Sequence, residues 1–434
     1  MSENASVSQA TQLGPETTAG TAVAATKRLQ ATSFNSSPDG GIAQFTPAGQ
    51  KYATLALPGK EWSKVDVDGV GSYTDLVYLF SMAVKAVTPT NPSGAAYLWD
   101  FAPSGTLEDV VKTFTAEKGN RSRAGRVKNL FLNDLSLAWD REKVTTKASG
   151  MATSWEDDIA LSTAATYTLT ANGTPPTAGT FTLTYAGQTT AGIAFDATPA
   201  AVKAALEALS TIAAGDVDVA LTTLGPTLAV ASSVYTITFK RALGAQAITL
   251  TGTFTGLTAS GSIALAAGTV GAAATAVTAV PILGQHLDVW MDDTSGALGT
   301  TKLTRAFRGE WSLSGRFNTV WPVNTAQSSF VGTVEKATGS MFKFTHAYDD
   351  VGAGLLTTMR AGDSKFIRFK ATGPVITGAY TNYVILDMAA KVSKVLTFED
   401  ADGVYSVGAE FVLVDDASWG KPFRCQIEAP LSAL

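Results

Sequence analysis

The sequence predicts a mainly β protein, in which one β-domain is split by a small inserted α+β domain. Three observations carry this reading. Apolar residues make up 45% and charged residues 16% of the 434 positions, with 40 glycines, which is the profile of packed strands and turns rather than of disorder. Segments that alternate apolar and polar with a period near two recur along the chain. Between Thr163 and Thr278 the only charged residues are Asp196, Lys203, Glu207, Asp216, Asp218, Lys240 and Arg241, four acids against three bases. That stretch therefore carries −1 of the net −5 and leaves −4 for the remainder, a shift that marks a boundary. The expected division is an N-terminal arm over 1–50, the first half of the β-domain over 51–162, the inserted α+β accessory domain over 163–278, and the second half over 279–434.

Residues 1–50 are rich in Ser, Thr, Ala, Gly and Gln, too poor in large apolar groups to offset their ordering entropy alone. The reading is a tail, or a segment that orders against a partner, with Phe34, Ile42 and Phe45 as docking residues. Its first twenty residues lack a basic stretch followed by an apolar run, so synthesis in and retention by a cytoplasm are expected. Tyr52–Leu57 and Trp62–Val67 read as short strands around a Pro58–Gly59 turn. Thr74 reads as an N-cap before a helix whose face carries Leu76, Phe80 and Val84, and Pro89 ends the run. Tyr97–Pro103 is aromatic and extended, Thr106–Val111 reads as a short helix, and Thr113–Glu117 as a strand.

From Val127 to Gly150, Leu130, Leu132, Leu135 and Leu137 alternate with one slip at Asn133–Asp134, and Trp139 continues the second phase. The pattern predicts a long half-buried strand with a bend or bulge at the slip. In the insertion, Thr180–Tyr185 and Ile193–Phe195 flank a hairpin turn at Ala186–Gly187. Thr198 and Pro199 open a helix burying Val202, Leu206 and Leu209. Strands follow at Val217–Leu221, Val234–Phe239 and Ile248–Phe254, and Thr258–Thr278 reads as an exit linker or weak final strand. Beyond it, strands are expected at His286–Met291, Lys302–Leu313, Phe342–Thr345, Phe366–Phe369, Tyr383–Ala390, Lys394–Phe398 and Val404–Leu413, with a turn at Asp400–Gly403, and Cys425–Ile427 closes the chain.

Chemistry-bearing constellations are absent from this pattern. The histidines, His286 and His346, have no companions at metal-ligand spacing. No nucleophile elbow or phosphate-cradling glycine loop occurs. The acidic runs Glu156–Asp158, Asp349–Asp350, Glu399–Asp402 and Asp415–Asp416 miss calcium-loop spacing and fit turns. Cys425 reads as a small buried apolar residue, and a lone cysteine excludes a disulfide framework within the chain. No catalytic, cofactor-binding or metal-binding residues are therefore expected, and no enzyme. The one dense basic patch, Lys118, Arg121, Arg123, Arg126 and Lys128, has no stacking aromatics interleaved. It reads as a solvated loop or one salt-bridged to another subunit, and the acidic balance argues against non-specific nucleic-acid affinity. No run reaches the roughly 18 apolar residues that span a bilayer, so membrane insertion is not expected.

Several segments together resemble the tail tube (major tail) protein of long-tailed bacteriophages: SYTDLVYLFSMAVKAVTP (Ser72–Pro89), YLWDFAP (Tyr97–Pro103) and TFTAEKG (Thr113–Gly119), then VKNLFLNDLSLAWDREKVTTKASG (Val127–Gly150), similar to the family's central strand pair. MFKFTHAYDDVGAGLLTTMRAGDSKFIRFKATG (Met341–Gly373) and ILDMAAKVSKVLTFEDADGVYSVGAEFVLV (Ile385–Val414) resemble its C-terminal half. The insertion, through GTFTLTYAGQTTAGIAFDATPAAVKAALEAL (Gly179–Leu209), is similar to a small module of phage structural proteins that the plainest tube proteins lack.

The resemblance implies a β-sandwich or barrel-like subunit that forms stacked hexameric rings, a hollow conduit for DNA, in a virion tail assembled in the host cytoplasm. It also implies tape-measure, tail-terminator and baseplate or tip proteins as partners, and a genome that passes the lumen without specific binding. Residues 1–50 and the Lys118–Lys128 loop are the expected inter-ring contacts, the inner wall is expected to be acidic, and the insertion is expected on the outside. The alternative is a surface adhesin or binding β-sandwich.

Overall fold

The computed structural model describes residues 9–223, 225–258, 262–323 and 328–434; the first eight residues of the expected arm and 259–261 of the expected exit linker lie outside this set. Strand accounts for 53% and helix for 10%, so the chain is mainly β. Nineteen strands, Thr275–Ala276 among them, join into one hydrogen-bonded network; the hairpin Phe317–Val320/Gly332–Glu335 and two small sheets between residues 166 and 267 stand apart from it.

The network has a main run of antiparallel strands in the order Thr32–Phe45, Leu55–Val70, Val144–Ala152, Ala124–Trp139, Ala306–Ser314, Gly339–Ala347, Val404–Leu413 and Tyr380–Ala401. Tyr380–Ala401, 22 residues long, belongs to two runs. Its second half closes the main one, while its first half lies between Ser364–Thr377 and Phe423–Ala429. Leu287–Asp292 extends this second run on one side, and Ala96–Phe101 on the other. The runs meet again where Ile282 donates to Gly71 O at 2.8 Å and accepts from Val144 N at 3.4 Å.

The helix Asp75–Ala83 lies inside, and every one of its residues is buried, so the single apolar face expected from spacing is replaced by burial on all sides. Phe80 stacks on Trp311 at 5.6 Å and meets Phe101 at 5.6 Å, and Trp311 meets Phe423 at 5.3 Å, so one aromatic column ties the helix to both runs. Thr74 stands at the N-cap but its side chain accepts no capping hydrogen bond; its hydroxyl donates to Thr278 O at 2.9 Å instead.

The slip at Asn133–Asp134 is a register shift, between Leu132 and Asp134. Both side chains turn to the neighbouring strand end: Asn133 Oδ1 accepts from Phe317 N (2.7 Å), and Asp134 accepts from Gly315 N (2.8 Å) and Ser149 Oγ (2.6 Å). Val127–Gly150 is nevertheless two strands rather than one, because Asp140 accepts from the amides of Glu142 and Lys143 and turns the chain.

Four further expectations are corrected. Residues 9–50 are not a free arm. Ala10–Pro15 pairs with Phe114–Gly119, Leu13 is buried, and the buried Glu16 accepts from Thr113 Oγ1, Thr115 Oγ1, Asn129 N and Gly20 N. Polar bonds to an existing sheet edge thus do the anchoring that apolar content could not. Tyr52–Val67 is no pair of short strands; Leu55–Val70 is continuous, and Pro58 is accommodated at a register shift between Gly40 and Ile42, where a ladder donor is not needed. Thr106–Val111 is irregular, held by Asp109 as described below. Asp349–Asp350 begins the helix Asp350–Ala361, capped by Asp349 Oδ1 accepting from Val351 N and Gly352 N; two glycines and two threonines in the segment had hidden it.

Residues 165–263 enclose a second, separate apolar cluster including Tyr167, Phe181, Val202, Leu206, Tyr235, Ile237 and Phe239. It lies among two small sheets and the helix Pro199–Glu207, whose cap Thr198 Oγ1 accepts from Ala201 N at 3.3 Å. Thr166–Asn172 and Ser262–Ala267 pair along six positions; the first is a strand the sequence reading missed. Ala186 and Gly187 have φ of 47° and 77°, the left-handed pair that a two-residue hairpin needs.

Candidate assembly surface

The main run has two distinguishable ends. Ser63, Ala152, Phe131, Leu313 and Gly339 lie at one, and Val70, Thr145, Trp139, Ala306 and Ala347 at the other. Beyond the first end, Thr32–Phe45 and Leu55–Val70 continue as a hairpin whose tip no other described residue covers. Register places Phe45 opposite Leu55 and Ala43 opposite Leu57 on one face, and Ile42 opposite Pro58 on the other. Ile42, Phe45, Tyr52, Leu55 and Leu57 are 62%, 58%, 83%, 54% and 58% exposed. Each would gain roughly 1–2 kcal/mol from burial of the exposed part, so the ribbon has a large unspent driving force for contact.

The hairpin's root is fixed where its tip is free. Trp62 meets Trp321 edge-on at 5.9 Å, Lys60 Nζ lies 4.9 Å over the Trp321 ring, and Glu61 N donates to Ser328 O at 3.1 Å. A small aromatic cluster of Phe131, Phe317 and Phe330 lies beneath. The hairpin Phe317–Val320/Gly332–Glu335 exposes Val320 and Val334, and the strap 102–113 exposes Leu107 and Val110, so they extend the apolar surface at this end.

One buried ionic network holds these parts together. The Arg316 side chain is 3% exposed and reaches Glu335 Oε1 at 2.8 Å, Asp109 Oδ2 at 3.2 Å and Val84 O, the carbonyl ending the interior helix, at 3.0 Å. Asp109 also binds Lys85 at 3.0 Å and accepts from Ser104 N at 2.8 Å. Burial pushes the Arg316 guanidinium down from its ordinary range, and Glu335 and Asp109 oppose this.

At the other end, Tyr348, Phe398 and Tyr405 form an open aromatic cluster, with ring centroids 4.9, 5.6 and 4.5 Å apart. They are 47%, 52% and 57% exposed. The turn Asp402–Gly403, both left-handed at φ 54° and 77°, reverses the chain beside them. Asp349, Asp350, Glu399, Asp400 and Asp402 flank the three rings along the chain; Arg305 O accepts from Ala347 N at 3.1 Å, and Arg308 is tied to Glu399.

The cations of the basic loop find partners within their own chain. Arg123 bonds Asp157 in two-pronged fashion (3.1 and 2.8 Å), Arg126 bonds Glu156 at 2.7 Å, Lys128 also reaches Glu156, and Arg121 bonds Thr211 O at 2.8 Å. Partial burial raises Glu156, but Lys128 and Arg126 more than reverse it and hold its carboxyl below the ordinary 4.5. The same acidic run reaches the insertion, where Asp158 binds Arg241 at 3.1 Å and Lys240 at 3.3 Å. The sequence showed both charge runs; that they neutralise each other follows only from the pairing of Glu156–Asp157 with Gly125–Arg126.

His286 lies against Tyr73, Nδ1 to hydroxyl at 3.2 Å, and His346 is buried with Nδ1 2.9 Å from Ala347 O. Cys425 is buried, and burial pushes its thiol well up. Among the described residues no three His, Cys, Asp or Glu side chains converge as a metal site would require, and no helix is long and apolar enough to cross a membrane. No known protein family and no curated protein compared with the chain matches it.

Proposed function

We propose that this chain is a structural subunit that assembles with copies of itself into a tube, as a tail tube protein of a long-tailed bacteriophage does. The observation that carries the reading is the uncovered hairpin, which continues two strands of the body and bears five large apolar side chains that its own chain leaves wet. A ribbon fixed at its root and apolar on both faces suits a contact that recurs from copy to copy, and a contact between two unlike surfaces closes into rings or runs on as a filament. Six-fold rings, a lumen that passes DNA, and further tail proteins at either end belong to the same proposal, on the strength of the resemblance of Ser72–Pro89, Val127–Gly150 and Ile385–Val414 to that family.

The test shortens the hairpin. Replacing residues 42–57 with Asn-Gly should leave the cooperative unfolding transition of the body within a few degrees, because the root contacts of Trp62 and Glu61 remain. Tubes or rings that the intact protein forms, viewed by negative-stain microscopy, should be lost. Assembly that persists unchanged removes the hairpin from the proposal.

A further inference from the structure

We propose that the hairpin of one copy docks on the Tyr348–Phe398–Tyr405 cluster of the next, so that copies add head to tail along the strand direction; this rests on the self-assembly reading above and names the receptor that it leaves open. Three independent observations support the pairing.

The first is position. The hairpin leaves the main run at the end marked by Ser63 and Gly339. The aromatic cluster sits at the opposite end, because Val407 pairs with Phe398 and with His346, and Tyr405 pairs with Asp400. Two unlike apolar surfaces at opposite ends of one sheet give a polar contact, in which each copy offers one surface and receives the other.

The second is shape. A cleft of about 720 Å³ opens beside the cluster, bordered by Trp139, Leu287, Arg305, Ala347, Asp402 and Val404. It is large enough to take aromatic and aliphatic anchors such as Tyr52 and Phe45. Exposed aromatics that touch one another but nothing above them are the residue type that dominates contact energies.

The third is charge. Between Asp39 and Lys60 the hairpin carries a single charge, Lys51, and that residue is exposed at the loop beside Tyr52. On the receptor side five carboxylates lie within three residues of the cluster's rings along the chain, Asp349, Asp350, Glu399, Asp400 and Asp402, against Arg305 and Arg308, and Arg308 is tied to Glu399. A positive tip approaching this excess of carboxylates is favoured, and a second hairpin tip approaching the first is not.

The experiment traps the contact in the full chain. Ala53→Cys at the tip and Val404→Cys beside the cluster both occupy exposed positions, and the native Cys425 is buried and silent. Under copper–phenanthroline oxidation the double variant should give a ladder of disulfide-linked multimers on a non-reducing gel. Each single variant should stay at the monomer, and a mixture of the two should stop at the dimer. Adding Tyr405→Ala to the double variant should raise the protein concentration needed for half-maximal laddering about tenfold, the scale of one aromatic anchor. Its unfolding midpoint should hold, because the ring is more than half exposed.

A double variant without a ladder up to its solubility limit overturns the proposal, as does self-linking of Ala53→Cys alone, which would mean tip-to-tip contact. The two readings fail separately. Hollow tubes under the microscope without a ladder would remove this docking and leave the tube, while a ladder from solid filaments would keep the docking and remove the tube.

Discussion

Glu117 and Arg316 are both buried charges, and their surroundings set opposite expectations. Burial raises Glu117 above its ordinary 4.5; the amide of Ser162, the side chain of Gln12 and Arg126 pull the other way without reversing it. A carboxyl with a raised folded-state pKa binds its proton more tightly folded than unfolded, so its charge penalises the fold above that pKa and the penalty disappears as pH falls. Glu117→Gln should therefore raise the urea midpoint at pH 7, with the gain fading as pH falls through the raised folded-state pKa and gone below about 4.5, the unfolded value. Arg316 is the reverse case. Removing one member of a buried pair leaves an uncompensated charge, at about 3–5 kcal/mol. Because Lys85 stays 3.0 Å from Asp109, Arg316→Ala should fall at the lower end of that range in urea unfolding.

Among elements, the insertion is the one whose removal the structure redefines. Its way out is not a free linker: Thr275 N bonds Thr26 O at 2.8 Å and Val277 N bonds Arg28 O at 2.9 Å, so residues 275–277 belong to the body. Thr163 and Ala272, by contrast, are bridged partners in both directions, at 3.3 and 3.0 Å. Replacing residues 164–271 with Asn-Gly between those two should keep the body folded, with a thermal transition that loses only the contribution of the second core. Cleavage at Leu161–Val280 would instead remove the bonded strand and destabilise the N-terminal segment. The seam itself is ionic. Asp158 is pushed up by partial burial, and Lys240 and Arg241 hold it below its ordinary 3.8, so its contribution is present above that value and is lost as pH falls through the folded-state pKa.

For the whole molecule, the balance of charge decides how it meets nucleic acid. The five basic residues Lys118–Lys128 would form a phosphate trap if repeated around a ring, but Glu156, Asp157 and Asp216 pair with four of them inside each copy, and Lys118 bonds Asn35. The intact protein should show no DNA mobility shift at physiological salt. Glu156→Gln with Asp157→Asn should free Arg123, Arg126 and Lys128 and produce a shift that weakens as salt rises. A shift by the unaltered protein would show that the loop is available in spite of its partners.

Local pattern by itself determined the mainly β class, the bulge at Asn133–Asp134, the capped helix at Pro199, the Asp400–Gly403 turn and the burial of Cys425, because each depends on periodicity or on the conformational preference of one or two residues. The compositional break near Thr163 and Thr278 likewise needed no partner to be seen. Only the tertiary structure decided where the polar N-terminal residues go, since the edge Phe114–Gly119 that receives Ala10–Pro15 is a hundred residues away in sequence. It also decided that the apolar residues Ile42, Phe45, Leu55 and Leu57 are exposed while the helix Asp75–Ala83 is buried all round. Hydrophobic spacing states which residues prefer to leave water. Which of them succeed depends on what the rest of the chain places over them, and here the chain covers the helix and leaves the hairpin bare.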